Sequence, residues 1–269
     1  MVKERCKKCA LCGSAERPLV KSHIIAKGLL ELNQETGHSF AYIDTTGKLA
    51  RRRDGLFLDR ITCRGCEDKI FTPLDNYAIK IFRNGKMKTI VDETDGVRTY
   101  KFDDCNRHDL RAFFASLTYR FALGCDYIPE ASNVVVDGWL SKLQDDLQNW
   151  QTAEFDYVDA LCVEFRGIDA NSFKVPQKMS IGDECKGFMI DIPHWRFFIS
   201  IGNQHHPFVR QLFNKGHVEA PLYSLSATFK EFPLCYCSVD FSSDRFNDLI
   251  DTIEAYNRNS QNGRRVYVQ

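Results

Sequence analysis

The sequence predicts an α+β fold in three parts: a cysteine-stapled module over residues 1–82, a short β meander with buried helices over 83–154, and an α+β domain over 155–269. Three observations carry that expectation. Two Cys-x2-Cys pairs stand in basic, polar surroundings near the start. A stretch with few polar positions follows at 109–124, and short alternating runs fill the last hundred residues. With 269 residues, 43% of them hydrophobic, the chain can bury a substantial core.

Asp54-Gly55 is a two-residue turn signal, and it predicts a hairpin between 48–53 and 56–62. After it, 68–82 reads as a helix whose stripe is Ile70, Phe71, Leu74, Ala78 and Ile81, with Pro73 either starting the helix or kinking it. Turns at Asn84-Gly85 and Asp95-Gly96 make 83–101 a β meander. Leu110, Phe113, Phe114, Leu117, Tyr119, Phe121 and Leu123 make 109–124 a deeply buried helix. Val135, Trp139, Leu143 and Leu147 mark a second helix over 132–150. Strands are expected at 155–165, 187–191, 195–201 and 234–241, a helix at 246–256, and a loose polar tail at 257–265. Trp195, Phe197 and Phe198 read as core residues.

The chain carries 11 cysteines, an odd number, which argues for metal binding or simple burial over a disulfide framework. Cys9-x2-Cys12-Gly13 has the shape of a zinc knuckle: two thiolates three positions apart can reach one tetrahedral ion, and a glycine relaxes the closing turn. Cys63-x2-Cys66 supplies a second pair where a strand enters a helix. Four thiolates fill the coordination shell, so a zinc ion held there is structural. Cys6-x2-Cys9 has the same spacing and leaves Cys6 as an alternative ligand. Cys105, Cys125, Cys162, Cys185, Cys235 and Cys237 are scattered and read as small buried hydrophobes. His205-His206, with His194 and His217, reads as a polar loop group.

Charge is divided unevenly. Through Lys88 there are 18 Lys and Arg against 10 Asp and Glu, a net of +8, and the remainder balances it at −8. A basic module joined to an acidic body suits an anionic partner at one end, with a protein partner or a second copy at the acidic C-terminal part. Lys21, Arg51, Arg52, Arg53, Arg60 and Arg64 are the expected phosphate contacts, since guanidinium forks match phosphate oxygens. No apolar run reaches the ~18 residues of a membrane span, and no apolar leader follows Met1, so the expectation is a cytoplasmic protein without a membrane partner.

Between the two cysteine pairs lies Lys21-Ser22-His23-Ile24-Ile25, and Glu67 directly follows Cys66. Here the chain resembles the HNH, or His-Me finger, endonucleases with a ββα-metal, treble-clef-like core, over roughly residues 6–82. The resemblance implies His23 as the general base and Glu67 as ligand of a catalytic divalent cation, magnesium or manganese. It implies a phosphodiester hydrolase acting on nucleic acid, with DNA the first expectation and RNA left open. Two positions depart from the family pattern: Ser22 stands where an Asp ligand is common, and Glu67 where Asn or His is usual. Asp59, Asp68 and Asp75 are candidates for a missing oxygen. With those departures, the alternative is a non-catalytic zinc-finger adaptor that binds nucleic acid or protein.

Overall fold

The computed structural model describes residues 8–30, 40–43, 49–52, 57–83, 88–94, 97–102, 105–124, 138–165, 172–181, 185–192, 195–202 and 223–227. Its helices and antiparallel pairings make an α+β fold, and the Cys-x2-Cys pairs meet near its N-terminal end.

Strand β1 (Leu19–His23) pairs antiparallel with β4 (Phe57–Cys63), Leu19 opposite Cys63 and His23 opposite Phe57. The register jumps from Val20–Thr62 to Lys21–Asp59, which leaves Arg60 and Ile61 as a bulge in β4. Arg60 takes the left-handed conformation there, with φ at 56°. The bulge frees the Ile61 carbonyl, which accepts the Ala10 N–H at 2.8 Å and so anchors the first knuckle to β4.

The expected hairpin across Asp54-Gly55 does not form. Strand β3 (Leu49–Arg52) pairs with β2 (Phe40–Ile43) in a different sheet, whereas β4 pairs with β1. The physical reason is non-local. Cys63 must lie at the sulfur cluster beside Cys9 and Cys12, which brings β4 against the strand that follows the first knuckle.

From β4 the chain runs into α2 (Arg64–Cys66), then a wide π-helical stretch (Glu67–Phe71), then α3 (Thr72–Arg83). Pro73 explains the change of pitch. It has no N–H to offer Lys69, four residues back, and the ladder shifts so that the Thr72 N–H donates to Glu67. The carbonyl of Lys69 is instead capped by the Trp150 indole N–H at 3.2 Å. Short helix α1 (Lys27–Leu30) lies close on α3: a Cβ at Gly28 would come within 2.7 Å of Ile79 Cδ1.

Helix α4 (Arg107–Gly124) is the centre of the molecule, with 13 of its 18 residues buried. It packs against α3, against α5 (Leu140–Gln148) and against β7 (Val158–Phe165). Phe82 of α3, Phe113 and Phe114 of α4, and Trp195 and Phe197 of β10 (Trp195–Ile201) form one aromatic cluster, Phe82 to Phe197 at 4.7 Å and Phe114 to Phe197 at 5.3 Å between ring centres. The Trp195 indole donates to the Phe82 carbonyl at 3.2 Å, so its one polar atom is satisfied.

The remaining strands are β5 (Lys88–Thr94), β6 (Val97–Phe102), β8 (Ser172–Ile181), β9 (Cys185–Ile192) and β11 (Tyr223–Ala227). The large sheet runs β3-β2-β8-β9-β10-β7-β11-β6-β5, antiparallel throughout except at β2–β8 and β11–β7. β5 and β6 pair around Asp95-Gly96 as the turn signal predicts. Strands β8 and β11 were not foreseen. The strand at 234–241, the helix at 246–256, the tail, the four histidines at 194, 205, 206 and 217, and Cys6, Cys125, Cys235 and Cys237 lie outside the described residues.

Arg60→Gly tests the strained position. It relieves about 1–2 kcal/mol of Cβ crowding and adds about 0.5–1 kcal/mol of entropy lost on folding. The expected result in urea denaturation is a gain of up to about 1 kcal/mol. A clear loss would contradict the left-handed bulge.

Candidate metal centre and its surroundings

The four knuckle cysteines converge. Their sulfurs all lie within 4.8 Å of one another, with Cys9 to Cys66 and Cys12 to Cys63 each 3.8 Å apart. A tetrahedral ion with sulfur ligands at ~2.3 Å separates those ligands by ~3.8 Å. The cluster can therefore hold a metal ion, and its all-sulfur donor set is consistent with structural zinc.

The local backbone is shaped for this. Gly13 adopts φ 70°, its N–H donates to Cys9 O at 2.8 Å, and Cys9 N–H donates to Ser14 O at 2.9 Å, closing the first knuckle. The Cys63 N–H points at Cys9 Sγ from 3.3 Å. Hydrogen bonding from the Cys66 thiol outweighs burial and holds the Cys9 thiol well below its ordinary pKa, while the same contact pushes Cys66 far up. Burial raises Cys12. Crowded sulfurs that compete for protons are the expected electrostatics of a site whose negative charge a cation would neutralise.

The first knuckle is also gripped from outside. Tyr119 of α4 donates to Ala10 O at 2.9 Å, and α5 supplies Gln144 to Ala10 O and Leu11 O at 3.1 and 2.8 Å and Gln148 to Leu11 O at 3.0 Å.

Beyond the sulfurs two polar side chains meet. Ser22 is fully buried on β1 and faces Glu67, whose side chain is half-buried. Burial pushes the Glu67 carboxyl upward, against the Ser22 hydroxyl and the Arg120 charge, which favour its ionised form. Ser22 Oγ and Glu67 Oε2 are both buried; the hydroxyl lies close enough to favour the carboxylate, but neither oxygen makes a hydrogen bond of full geometry among the described residues. A buried hydroxyl thus stands beside a buried carboxyl whose charge burial disfavours.

Of the spare acids, Asp75 has both oxygens committed to Arg120, at 2.9 and 2.6 Å, and Asp68 is exposed. The Asp59 side chain lies outside the described residues.

His23 is half-buried and ends β1. Strand alternation sets it on the face opposite Ser22, together with Lys21 and Phe57, and Lys21 Nζ sits 3.7 Å above the Phe57 ring. The inner face thus brings Ser22 and Glu67 together, and the outer face presents His23 beside a cation. Arg60 and Arg64 are exposed near the second knuckle, and Arg17 lies across Gly65, where a Cβ would meet Arg17 Nη1 at 2.6 Å. Arg51 and Arg52 stand on β3, in the other sheet, and their side chains, like the whole of Arg53, lie outside the described residues.

Sequence reasoning missed Tyr119, Arg120, Gln144 and Gln148. The signal was present for one of them: an arginine inside an apolar helix must find a buried partner. The glutamines gave none, because their acceptors are backbone carbonyls far away in the chain.

Searched against family models, curated proteins and solved structures, the chain matches none.

Cobalt substitution checks the cluster. One equivalent of Co2+ is expected to give the intense visible bands of a tetrahedral thiolate site. Cys9→Ala and Cys63→Ala should abolish them and lower the melting temperature, whereas Cys105→Ala, away from the cluster, should leave them intact.

Proposed function

We propose that the chain is a metal-dependent endonuclease of the HNH type, its N-terminal module stapled by one structural zinc. The observation that carries this reading is the meeting of two buried oxygens, Ser22 Oγ and Glu67 Oε2, beside the strand that ends in His23. In the family pattern an acid on the strand faces an amide or imidazole on the helix. Here the strand carries the hydroxyl and the helix carries the acid, so the pair keeps one charged and one neutral donor with their places exchanged.

Glu67 and Ser22 would hold magnesium or manganese, which supplies charge stabilisation at a phosphodiester. His23 would accept the proton of the attacking water, a task suited to an imidazole near neutral pH. Lys21, Arg60, Arg64 and Arg17 would hold the phosphate backbone, of DNA by preference, without reading sequence. The acidic C-terminal part is left for a protein partner or a second copy.

One observation favours a second reading. His23 and Ser22 lie on opposite faces of β1, so base and cation address the same phosphate only around the strand's end. If that reach fails, the module is a zinc-stapled adaptor that binds nucleic acid through the outer face.

Supercoiled plasmid with Mg2+ or Mn2+ separates the two. Nicking that His23→Ala reduces at least 100-fold, with DNA binding retained, supports the nuclease. Binding with no cleavage under either metal makes it an adaptor. Glu67→Gln should lose cleavage too. In the zinc-loaded protein without Mg2+ it should melt at a higher temperature than the parent, because burial disfavours the carboxylate more than Ser22 and Arg120 favour it.

A further inference from the structure

Arg120 sits wholly inside the protein, on a helix that lies outside the four-cysteine module, and it touches the module at three places. Its two terminal nitrogens fork onto Asp75 of α3 at 2.9 and 2.6 Å. Nη1 also donates to the backbone carbonyl of His23 at 2.7 Å. The guanidinium lies 5.1 Å from the Phe71 ring centre, in the wide helical stretch that Glu67 opens. Nε and Nη2 return to Ser116 of the same helix at 3.3 Å each. Every nitrogen of the group is therefore spoken for, and the side chain has one geometry available to it.

A buried ion pair is an expensive way to gain stability. Desolvating both charges offsets most of their attraction, and apolar side chains of similar volume often serve as well. What the pair provides that an apolar pair cannot is a directed contact. One end of the fork fixes the carbonyl of His23, and its charge also acts on Glu67. A carbonyl at the end of a two-stranded ribbon, with no further strand pair beyond it, is where a strand frays first.

We propose that Arg120, held by Asp75, is a positioning residue for the candidate site: it fixes the end of β1 so that the His23 imidazole keeps one orientation relative to Glu67. This rests on the nuclease reading for its consequence in activity, but the positioning itself can be observed without any activity. The site is then not self-contained in residues 8–83. It is completed from α4, whose neighbouring residues Tyr119 and Arg120 grip the zinc knuckle and the end of β1 respectively.

The test uses the full chain loaded with zinc and the double substitution Asp75→Asn with Arg120→Met, which removes the pair without leaving either partner's charge behind. Two readouts are taken: the imidazole resonances of His23 by 15N-labelled histidine NMR, and kcat and KM for plasmid nicking. Positioning predicts one equivalent of zinc retained, His23 resonances shifted and broadened by exchange, kcat down at least 30-fold and KM within about twofold. Unchanged His23 resonances overturn the proposal, whatever the activity does. Shifted resonances in a chain whose parent does not nick DNA sustain the positioning and reject the nuclease reading instead. Should the double variant lose its zinc, Arg120→Lys, which keeps the charge and loses the fork, is judged by the same His23 resonances.

Discussion

The four sulfurs are the constraint from which the rest of the N-terminal module follows. Joining Cys9 and Cys12 to Cys63 and Cys66 closes a loop of about fifty residues, and a cross-link of that span limits the unfolded chain by about 4 kcal/mol in the chain-entropy picture. A two-stranded ribbon has no such reserve of its own, since an isolated hairpin is marginal in water. The sulfur cluster decides which strands pair, because it fixes the end of β4 next to the start of β1. The bulge at Arg60 and Ile61 is the accommodation: it turns one β4 carbonyl away from β1 and toward the first knuckle.

Helix α4 is the second fixed point. A helix with most of its residues buried needs partners on every side, and it finds them in α3, α5 and β7. Its polar residues are confined to two turns and aim at particular atoms. Arg111 reaches Asp156 at 2.6 Å toward the large sheet, while Tyr119 and Arg120 reach the four-cysteine module. The same helix thereby sets the spacing between module and sheet, and the basic N-terminal part is not an independent bead on a string.

Much of this was legible in the sequence, for a reason that differs element by element. The cysteine pairs were readable because metal ligation demands residue types that little else explains at that spacing. Residues 109–124 were readable because apolar residues on every side of a helix leave it no solvent face. The Asp54-Gly55 hairpin failed because a turn signal reports local preference, and β4 had a stronger non-local claim from Cys63. Strands β8 and β11 were invisible: Lys174, Gln177 and Lys178 break the apolar alternation of β8, and β11 is only five residues long. Glu67 and Ser22 were singled out separately, but their meeting depends on the register of β1 against β4, which a bulge alters and sequence does not announce.

The helix that follows the second knuckle joins these constraints. Its start is held by Cys63 and Cys66 at the sulfurs, and Asp75 is held by Arg120 only nine residues beyond Cys66. Between those anchors Cys66 must face the sulfurs, Glu67 must face Ser22, and Ile70 and Phe71 must face the core. A regular α-helix rotates every side chain by a fixed 100° and leaves no freedom to meet three demands at once. Pro73 supplies the freedom by withholding one N–H, so the turn beginning at Glu67 widens, and Trp150 stabilises the result by taking the carbonyl left over. Widened turns of this kind are rare in ordinary helices and recur where a side chain has to be aimed. Here the turn opens at the residue whose buried oxygen makes no hydrogen bond of full geometry among the described residues.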